Sequence, residues 1–483
     1  MYRSRLGKNL DKRTLEYVSS ISDDSEILQY DIAGSQAHTI MLYENKILNR
    51  AEAKKILYAL DRLKKEKLDT GSAEDIHELI ESQIIKKIGA GVGGKMHTAR
   101  SRNDQVALDI RMKVRDDTNT ICNCILDMID VLLTLAEKHK TTAMPLYTHL
   151  QQAQIGTFSH YMLSYVDVLS RDLERLFAMY GRVNLSPLGA GPVGGTSLPI
   201  NRNTTAKLLG FSGIVENSID ATSSRDVVAE YAGNIALLMT NLSRIAEDLV
   251  IWSTSEFSFV EMSDQFSSPS SVMPQKKNPD ILELTRGKSA HVIGNLVAIL
   301  TNLKGLMSGY GRDLQEIKPM AFSSSKIAIS ALVVLGSMFA TLKVNRQKMR
   351  QAADSGYLAA LDIAEFLVKD GTPFREAHKI VGSLVQIAHN SKKPLKKLTA
   401  QEISSAAKQV NPSKILKIIS SINTDDSLKN RTSRGSAGFS EQKRMITARN
   451  TKIRQYRYVL ARQTAQVSEA AQTLSKKIYI ITK

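Results

Sequence analysis

With 483 residues, 42% of them hydrophobic, the chain can bury a substantial core, which excludes a disordered or collagen-like protein and predicts two to four structural units at roughly 100–200 residues each. The 65 Lys+Arg against 48 Asp+Glu leave a net charge of +17, and +15 of it falls between Ser391 and Lys483. Cys122 and Cys124, the only cysteines, stand two apart and on a helix cannot face each other, so they predict neither a disulfide nor a metal pair and point to a reducing, cytoplasmic setting.

The N-terminus, Met1 to Lys8, carries no apolar stretch behind its charges and predicts no secretory signal. No proline occurs before Pro145, so long helices are permitted there. His77, within Asp75-Ile76-His77-Glu78, stands near a predicted helix start. Gly89 to Asp104 reads as a polar, Gly-rich connection, and Asp104 to His139 as a helix with an apolar stripe through Val106, Ile110, Val114, Ile121, Ile125, Met128, Leu132 and Leu135. Tyr147 to Gln154 and Ser186 to Arg202 read as further connections. The latter contains Gly189-Ala190-Gly191-Pro192-Val193-Gly194, a G-x-G-x-x-G string, but no buried strand precedes it and Pro192 and Pro199 interrupt it, so it predicts a tight turn and not a dinucleotide site.

Ser223, three residues before Asp226, predicts a capping box for a helix whose seam is Val228, Tyr231, Ile235, Leu238, Leu242, Ile245, Leu249 and Trp252. Helices are also predicted over Ile281–Leu306 and Ser323–Leu342, separated by polar connections at Ser263–Asp280 and Ser308–Lys318. The longest apolar run, Ile327 to Leu342, has 16 residues, short of the ~20 that span a bilayer, and predicts a buried helix with no membrane partner. No period-two alternation is long enough to build a sheet, so the fold class is all-α with a core of long helices. The basic stretch after Ser391 can attract nucleic acid or an anionic substrate. Its few aromatics do not interleave as a single-strand stacking platform requires, which favours a solvated face over nucleic-acid binding.

Chemistry is expected in the polar connections. Ser267 to Asp280 combines small residues, two hydroxyl candidates, two ammonium groups and an amide, a set able to close over an anion and to stabilise growing carboxylate charge. As a string, S-S-x-M-P-x-K-x-N-P resembles the signature of the fumarase/aspartase superfamily, whose members reversibly eliminate fumarate from succinyl compounds. Lys95 to Val106, containing Arg100-Ser101-Arg102-Asn103-Asp104-Gln105, resembles the argininosuccinate lyase family within it. So do Tyr147-Thr148-His149-Leu150-Gln151-Gln152-Ala153-Gln154 and Tyr310-Gly311-Arg312-Asp313-Leu314-Gln315-Glu316-Ile317-Lys318. The resemblance covers roughly Ser20 to Phe374.

That resemblance implies the reversible splitting of argininosuccinate into arginine and fumarate, without metal or organic cofactor. It implies that Ser270 takes the Cβ proton, that Lys276 and Asn278 hold the carboxylate on which charge builds, and that His149, its basicity raised by Glu283, assists proton transfer to the departing guanidinium group. Ser20, Asn103, Thr148, Tyr310, Gln315 and Lys318 are implied to bind substrate, with Ser101, Arg102 and His77 nearby. It further implies a homotetramer, a twenty-helix bundle whose sites form where three subunits meet. Each chain would comprise residues 1–104 (N-terminal helical domain), 105–350 (central bundle) and 351–483 (C-terminal helical domain with the basic segment). The chain departs from the family pattern at Pro269, where glycine is usual, and in its basic C-terminal region. The alternatives are a sister lyase acting on adenylosuccinate and a non-catalytic, crystallin-like scaffold.

Overall fold

Leu28–Glu44 (α1), Arg50–Leu63 (α2) and Ile76–Ile88 (α3) form the N-terminal part of the computed structural model, which describes residues 10–66, 73–407 and 410–483. The Met1 to Lys8 segment read for a signal lies outside the described residues. Asn49 and Glu52 close a reciprocal capping box at α2, satisfying two of the amides a helix start leaves open. These helices share one continuous apolar core with the long helices that follow, through Ile40, Leu57 and Ile84.

The proline-free run from residue 102 becomes a 37-residue helix, Arg102–Lys138 (α4), and every residue of its predicted apolar stripe is buried. After the hairpin Ala143–Thr148 (β1) and Gln151–Thr157 (β2) come Phe158–Val183 (α5) and Asp226–Ser253 (α6). Ser268–Pro269 (β3) then pairs antiparallel with Lys277–Asn278 (β4), and Asp280–Leu303 (α7) and Ile317–Ala340 (α8) complete five long helices. The seam of α6, from Val228 to Trp252, is wholly buried, as its three-and-four spacing requires. All but the last two residues of the 16-residue apolar run lie in α8, where Leu332, Leu335 and Phe339 are buried while Val333 is exposed. Leu284, Val297 and Leu300 of α7 and Leu237 of α6 also face outward, so the bundle has an apolar outer face as well as an apolar core.

Charge is buried in α4 too. Arg115, 1% exposed, donates from Nη1 to Asn184 Oδ1 at 3.1 Å and to the Leu209 carbonyl at 3.0 Å, with its guanidinium carbon 4.6 Å from the Phe211 ring centroid. It fixes the segment after α5 onto the middle of α4, and burial lowers its pKa.

Ala360–Lys369 (α9), Phe374–Asn390 (α10), Ala400–Ala406 (α11) and Pro412–Ser421 (α12) gather a separate core around Leu367, Leu384, Ile403 and Ile415. The 44-residue helix Phe439–Thr482 (α13) instead returns to the main core through Met445, Ile453, Leu460, Leu474 and Ile481. Much of the basic stretch is thereby matched within the chain: Arg449 pairs with Asp167, Lys452 with Glu174, Arg457 with Asp127 and Asp130, and Lys477 with Glu44. Such exposed pairs are each worth little, about 0–1 kcal/mol, and the apolar seam carries most of the attachment.

Two local expectations fail. Tyr147–Gln154, read as an irregular connection, is the tip of the β1–β2 hairpin, because the cross-strand pairing from Ala143↔Thr157 to Thr148↔Gln151 leaves only His149 and Leu150 as the turn. Ser223 does not cap α6. Asn217 starts a short helix, Ser218–Ser223, which absorbs Ser223 and turns its hydroxyl to the Ile219 carbonyl at 2.7 Å, leaving Arg225 at the α6 N-cap position.

Gly210 packs directly against α13: its φ is +73°, and an added Cβ would stand 3.1 Å from Val467 Cα and 3.2 Å from Ala470 Cβ. Gly210→Val is therefore expected to lower stability by about 1–3 kcal/mol and to speed hydrogen exchange in 460–475, read by thermal unfolding and by exchange mass spectrometry.

Candidate active site

The start of α4 organises the site. The Ser101 hydroxyl accepts from the Asn103 amide at 3.3 Å while Asp104 Oδ1 accepts from the Ser101 amide at 2.9 Å, closing a capping box. Asp104 Oδ2 also accepts from the Gly189 and Gly191 amides, both at 2.9 Å. The amides of the G-x-G-x-x-G segment thus face a carboxylate of the protein's own, and a phosphate would find that position taken. Burial drives the Asp104 carboxyl up to about 6 even though these amide bonds pull it down. On the same helix end, Asn103 Nδ2 donates to the Pro192 carbonyl at 2.9 Å, so the glycine loop is fastened beside the two residues that enter the cavity next to it, Arg102 and Asn103.

A cavity of about 320 Å³ opens there. Arg102, Asn103 and Val106 line it from α4, Tyr310, Arg312 and Gln315 from the connection into α8, and Lys318 from the first turn of α8. Ser20, Glu74, Asp75 and His77 complete the wall from the N-terminal part. Lys318 and Asp24 form a buried ion pair at its base. The second oxygen of Asp24 accepts from the Ser20 hydroxyl at 2.8 Å and the Ile76 amide at 3.2 Å, so one carboxylate sets the positions of two predicted binding residues and of the α3 N-terminus. Arg102 Nη1 lies 3.0 Å from Asp75 and 3.7 Å from Glu74, and Arg312 pairs with Glu74 while donating to the Val18 carbonyl at 2.9 Å. The Tyr310 hydroxyl has its pKa raised by burial, against the pull of Arg225 and Arg312. Arg225 itself is buried, and burial brings it down to about 10.

Seven of the nine predicted binding residues, Ser20, His77, Arg102, Asn103, Tyr310, Gln315 and Lys318, line this one cavity. Ser101 stands beside it as the cap of α4. Thr148 does not line it; it ends β1, exposed, next to the turn. His149 (φ +55°) and Leu150 (φ +57°) hold the turn in left-handed geometry, which hairpins of this length favour but which side chains other than glycine, asparagine and aspartate rarely take. Such positions cost on the order of 1 kcal/mol or more each, and the ladder on either side keeps His149 there at the exposed tip.

The remaining residues stand on a second projection. Ser270 and Lys276 bound the loop between β3 and β4, Asn278 pairs with Ser268 in the ladder, and Glu283 lies exposed in the first turn of α7. Pro269 opposes Lys277 in the same two-residue ladder, so its ring stiffens one stem of the loop. The Ser270 hydroxyl oxygen accepts from the Val272 amide at 3.2 Å and the Met273 amide at 3.0 Å. Lys277 is anchored to Asp264 at 2.7 Å and Glu261 at 3.0 Å, partners that raise its pKa. Among the described residues no hydrogen bond joins His149 to Glu283 within the chain, and neither the hairpin tip nor the loop lines the cavity.

Sequence reasoning missed Glu74, Asp75 and Arg312 in the wall and Asp24, Asp31 and Asp109 beneath it. Arg312 lay within a segment already singled out, and Asp75 two residues from His77. The three buried acids belong to no motif, and only the packing of α1, α3, α4 and α8 brings them together. Asp31, His77 and Asp109 are the one group among the described residues whose donor atoms approach within 4.8 Å of one another in the manner of metal ligands.

The family model described as Lyase matches residues 4–294, and the model described as Argininosuccinate lyase C-terminal matches residues 357–424. The argininosuccinate lyase of Nitrosopumilus maritimus is 62% identical over 99% of both chains, and that of Methanocaldococcus jannaschii 43% identical over 86% of this chain and 87% of its own. Among solved structures, an EDDS lyase variant with bound fumarate superposes with a TM-score of 0.89 at 31% identity, covering 97% of this chain and 94% of that one. A class II fumarase from Schistosoma mansoni, at 15% identity and a TM-score of 0.72 over 87% of this chain and 95% of its own, shares the fold.

Asp104→Ala would leave the Ser101, Gly189 and Gly191 amides without their acceptor. Each such loss costs about 1–3 kcal/mol when buried, so the unfolding midpoint should fall and the 189–195 amides should exchange faster, both measurable by urea titration and exchange mass spectrometry.

Proposed function

The chain belongs to the argininosuccinate lyase family and is a carbon–nitrogen lyase of the fumarase/aspartase superfamily; on that footing we propose that it splits argininosuccinate reversibly into arginine and fumarate, the last step of arginine biosynthesis. The observation that carries the reading to this site is the cavity that gathers Ser20, Arg102, Asn103, Tyr310, Gln315 and Lys318. Its wall alternates cations with acids, which suits a substrate bearing three carboxylates and a guanidinium group. Lys318 and Arg102 meet carboxylates through charge-assisted hydrogen bonds, while Glu74 and Asp75 supply the complementary charge. The fumarate bound to the structurally similar EDDS lyase supports a four-carbon dicarboxylate as the other product. No observation favours an adenylosuccinate substrate or a scaffold without catalysis.

In this reading Ser270 removes the Cβ proton. A serine alkoxide is unfavourable in water, and the Val272 and Met273 amides aimed at its oxygen lower that cost before substrate arrives. Lys276 and Asn278 hold the carboxylate that gains charge as the proton leaves. The electron pair left on Cβ forms the double bond as the C–N bond breaks, and His149, oriented by Glu283, delivers a proton to the departing guanidinium nitrogen.

Within one chain the cavity, the hairpin tip and the loop are separate, so a complete site requires more than one subunit. The outward Leu237, Leu284, Val297, Leu300 and Val333 on α6 to α8 provide the apolar face for that assembly. Five long helices from each of four chains make the twenty-helix homotetramer. We place the enzyme in the cytoplasm, where the free Cys122 and Cys124 remain reduced.

The purified protein should form fumarate, followed by ultraviolet absorbance, and arginine in equal amounts from argininosuccinate; turnover of adenylosuccinate alone would overturn the substrate. Ser270→Ala and His149→Asn should each reduce turnover by about 100-fold or more with assembly intact by gel filtration, as expected when an acid–base group is lost. Because cavity and loop come from different subunits, unfolding and refolding Lys318→Ala together with Ser270→Ala should restore up to about a quarter of the sites. A mixture as inactive as its parents would place both residues in one subunit's site.

A further inference from the structure

Beneath the cavity lies a buried cluster that the proposed chemistry does not use. His77, in the first turn of α3 and 5% exposed, reaches the cavity wall. Its Nδ1 faces two carboxylates, Asp31 Oδ1 of α1 at 3.5 Å and Asp109 Oδ2 of α4 at 3.7 Å, and its Nε2 has no hydrogen-bond partner among the described residues. Asp31 Oδ1, the oxygen that faces His77, also accepts from Gln105 Nε2 at 3.0 Å, whereas among the described residues neither oxygen of Asp109 accepts a hydrogen bond.

We infer that Asp31 is a positioning residue, which keeps His77 as an imidazolium so that the ring presents a fixed positive edge to one substrate carboxylate at the base of the cavity. The carboxylate ligand rests on the argininosuccinate reading above; the placement of the charge rests on the cluster itself. His77 lines the cavity and Asp31 does not, so the ring stands nearer to substrate than the carboxylate that accompanies it. An imidazolium held rigidly there stabilises an anion without the rotamer entropy a lysine would lose.

The surrounding charges support the same division. Burial opposes a charge on His77, but Asp31, then Asp75 at the head of α3 and Asp24 of the short helix Ile21–Asp24, outweigh it and raise the imidazole pKa. Burial also opposes charge on Asp31, and His77 and Arg100 overcome it and lower its pKa. Asp109 goes the other way: burial, Asp31 and Asp24 push its carboxyl well above the usual range, and Arg100 and Lys318 do not compensate. Lys318 is already matched by Asp24, and Arg100 donates to the Ser35 hydroxyl at 2.9 Å. The two carboxyls are thus pushed in opposite directions, and the one favoured as an anion is the one that Gln105 contacts. Two ionised carboxylates would cancel the imidazolium as seen by substrate.

The test is the pH dependence of Asp31→Asn in the intact assembled enzyme. As pH rises His77 loses its proton and substrate affinity falls; without Asp31 that loss should occur at lower pH. We expect KM for argininosuccinate to rise about tenfold at neutral pH with kcat within about threefold, and the alkaline limb of kcat/KM to move down by about one pH unit. Gln105→Leu, which leaves the Asp31 charge but frees its orientation, should move the limb the same way by less, and serves should Asp31→Asn fail to fold. Fumarate binding measured by calorimetry across the same pH range provides an arm independent of turnover. An unmoved limb and unchanged KM in folded Asp31→Asn would overturn the inference while leaving the lyase reading in place. A wild type inactive on argininosuccinate, yet showing the shifted fumarate binding in Asp31→Asn, would overturn the substrate and keep the inference. Activity lost to a chelator and restored by a divalent cation would put an ion between Asp31 and His77 and overturn it as well.

Discussion

The ion pair between Lys318 and Asp24 joins residues nearly three hundred positions apart, and both are almost fully buried. Removing two charges from water costs several kcal/mol per ion, which attraction repays only when the geometry is good and the remaining hydrogen-bonding capacity is used. Here it is used: Asp24 also accepts from Ser20 and from the α3 start. Displacing either partner would leave an unmatched charge, so the pair specifies one arrangement of the N-terminal helices against α8. The cavity is the space left between those elements, and it inherits its shape from this constraint.

The chemical groups are sorted by stiffness. Residues read as recognising substrate stand on helix ends and buried connections, where packing and ion pairs hold them. Those read as moving protons stand on two projections, a hairpin tip in left-handed geometry and a loop on a two-residue stem. A rigid receptor lowers the entropic cost of binding, while a loop that closes late can exclude water at the moment the alkoxide is needed. The Ser270 oxygen already faces two amides, so a base at that position would not have to build its stabilising environment when substrate arrives.

The long helices were readable because their apolar residues recur at three and four and no proline interrupts them; the stripes of α4 and α6 are buried throughout. The hairpin was not, since its strands are too short for alternation to rise above the background and its turn carries His-Leu where Asn-Gly is usual. Ser223 misled because a cap signature is local, and the Asn217 helix competing for the same residue is decided by packing. Most of the residues that line the cavity were named through a resemblance in short strings. Asp24, Asp31 and Asp109 could not be, because a buried acid matters only through partners that distant helices bring to it.

The last helix adds a constraint of a different kind. Residues 439–482 complete the main core and reach the N-terminal helices, where Arg50 donates to the Ile480 carbonyl at 3.0 Å. During synthesis the first helices and the bundle emerge long before the strand of apolar side chains that seals them, and the intervening α9 to α12 can fold on their own core meanwhile. Until α13 docks, the main core therefore keeps an open apolar seam. The Arg50–Ile480 contact joins residues 430 positions apart, so topology makes the sealing of that seam slow compared with formation of the helices themselves.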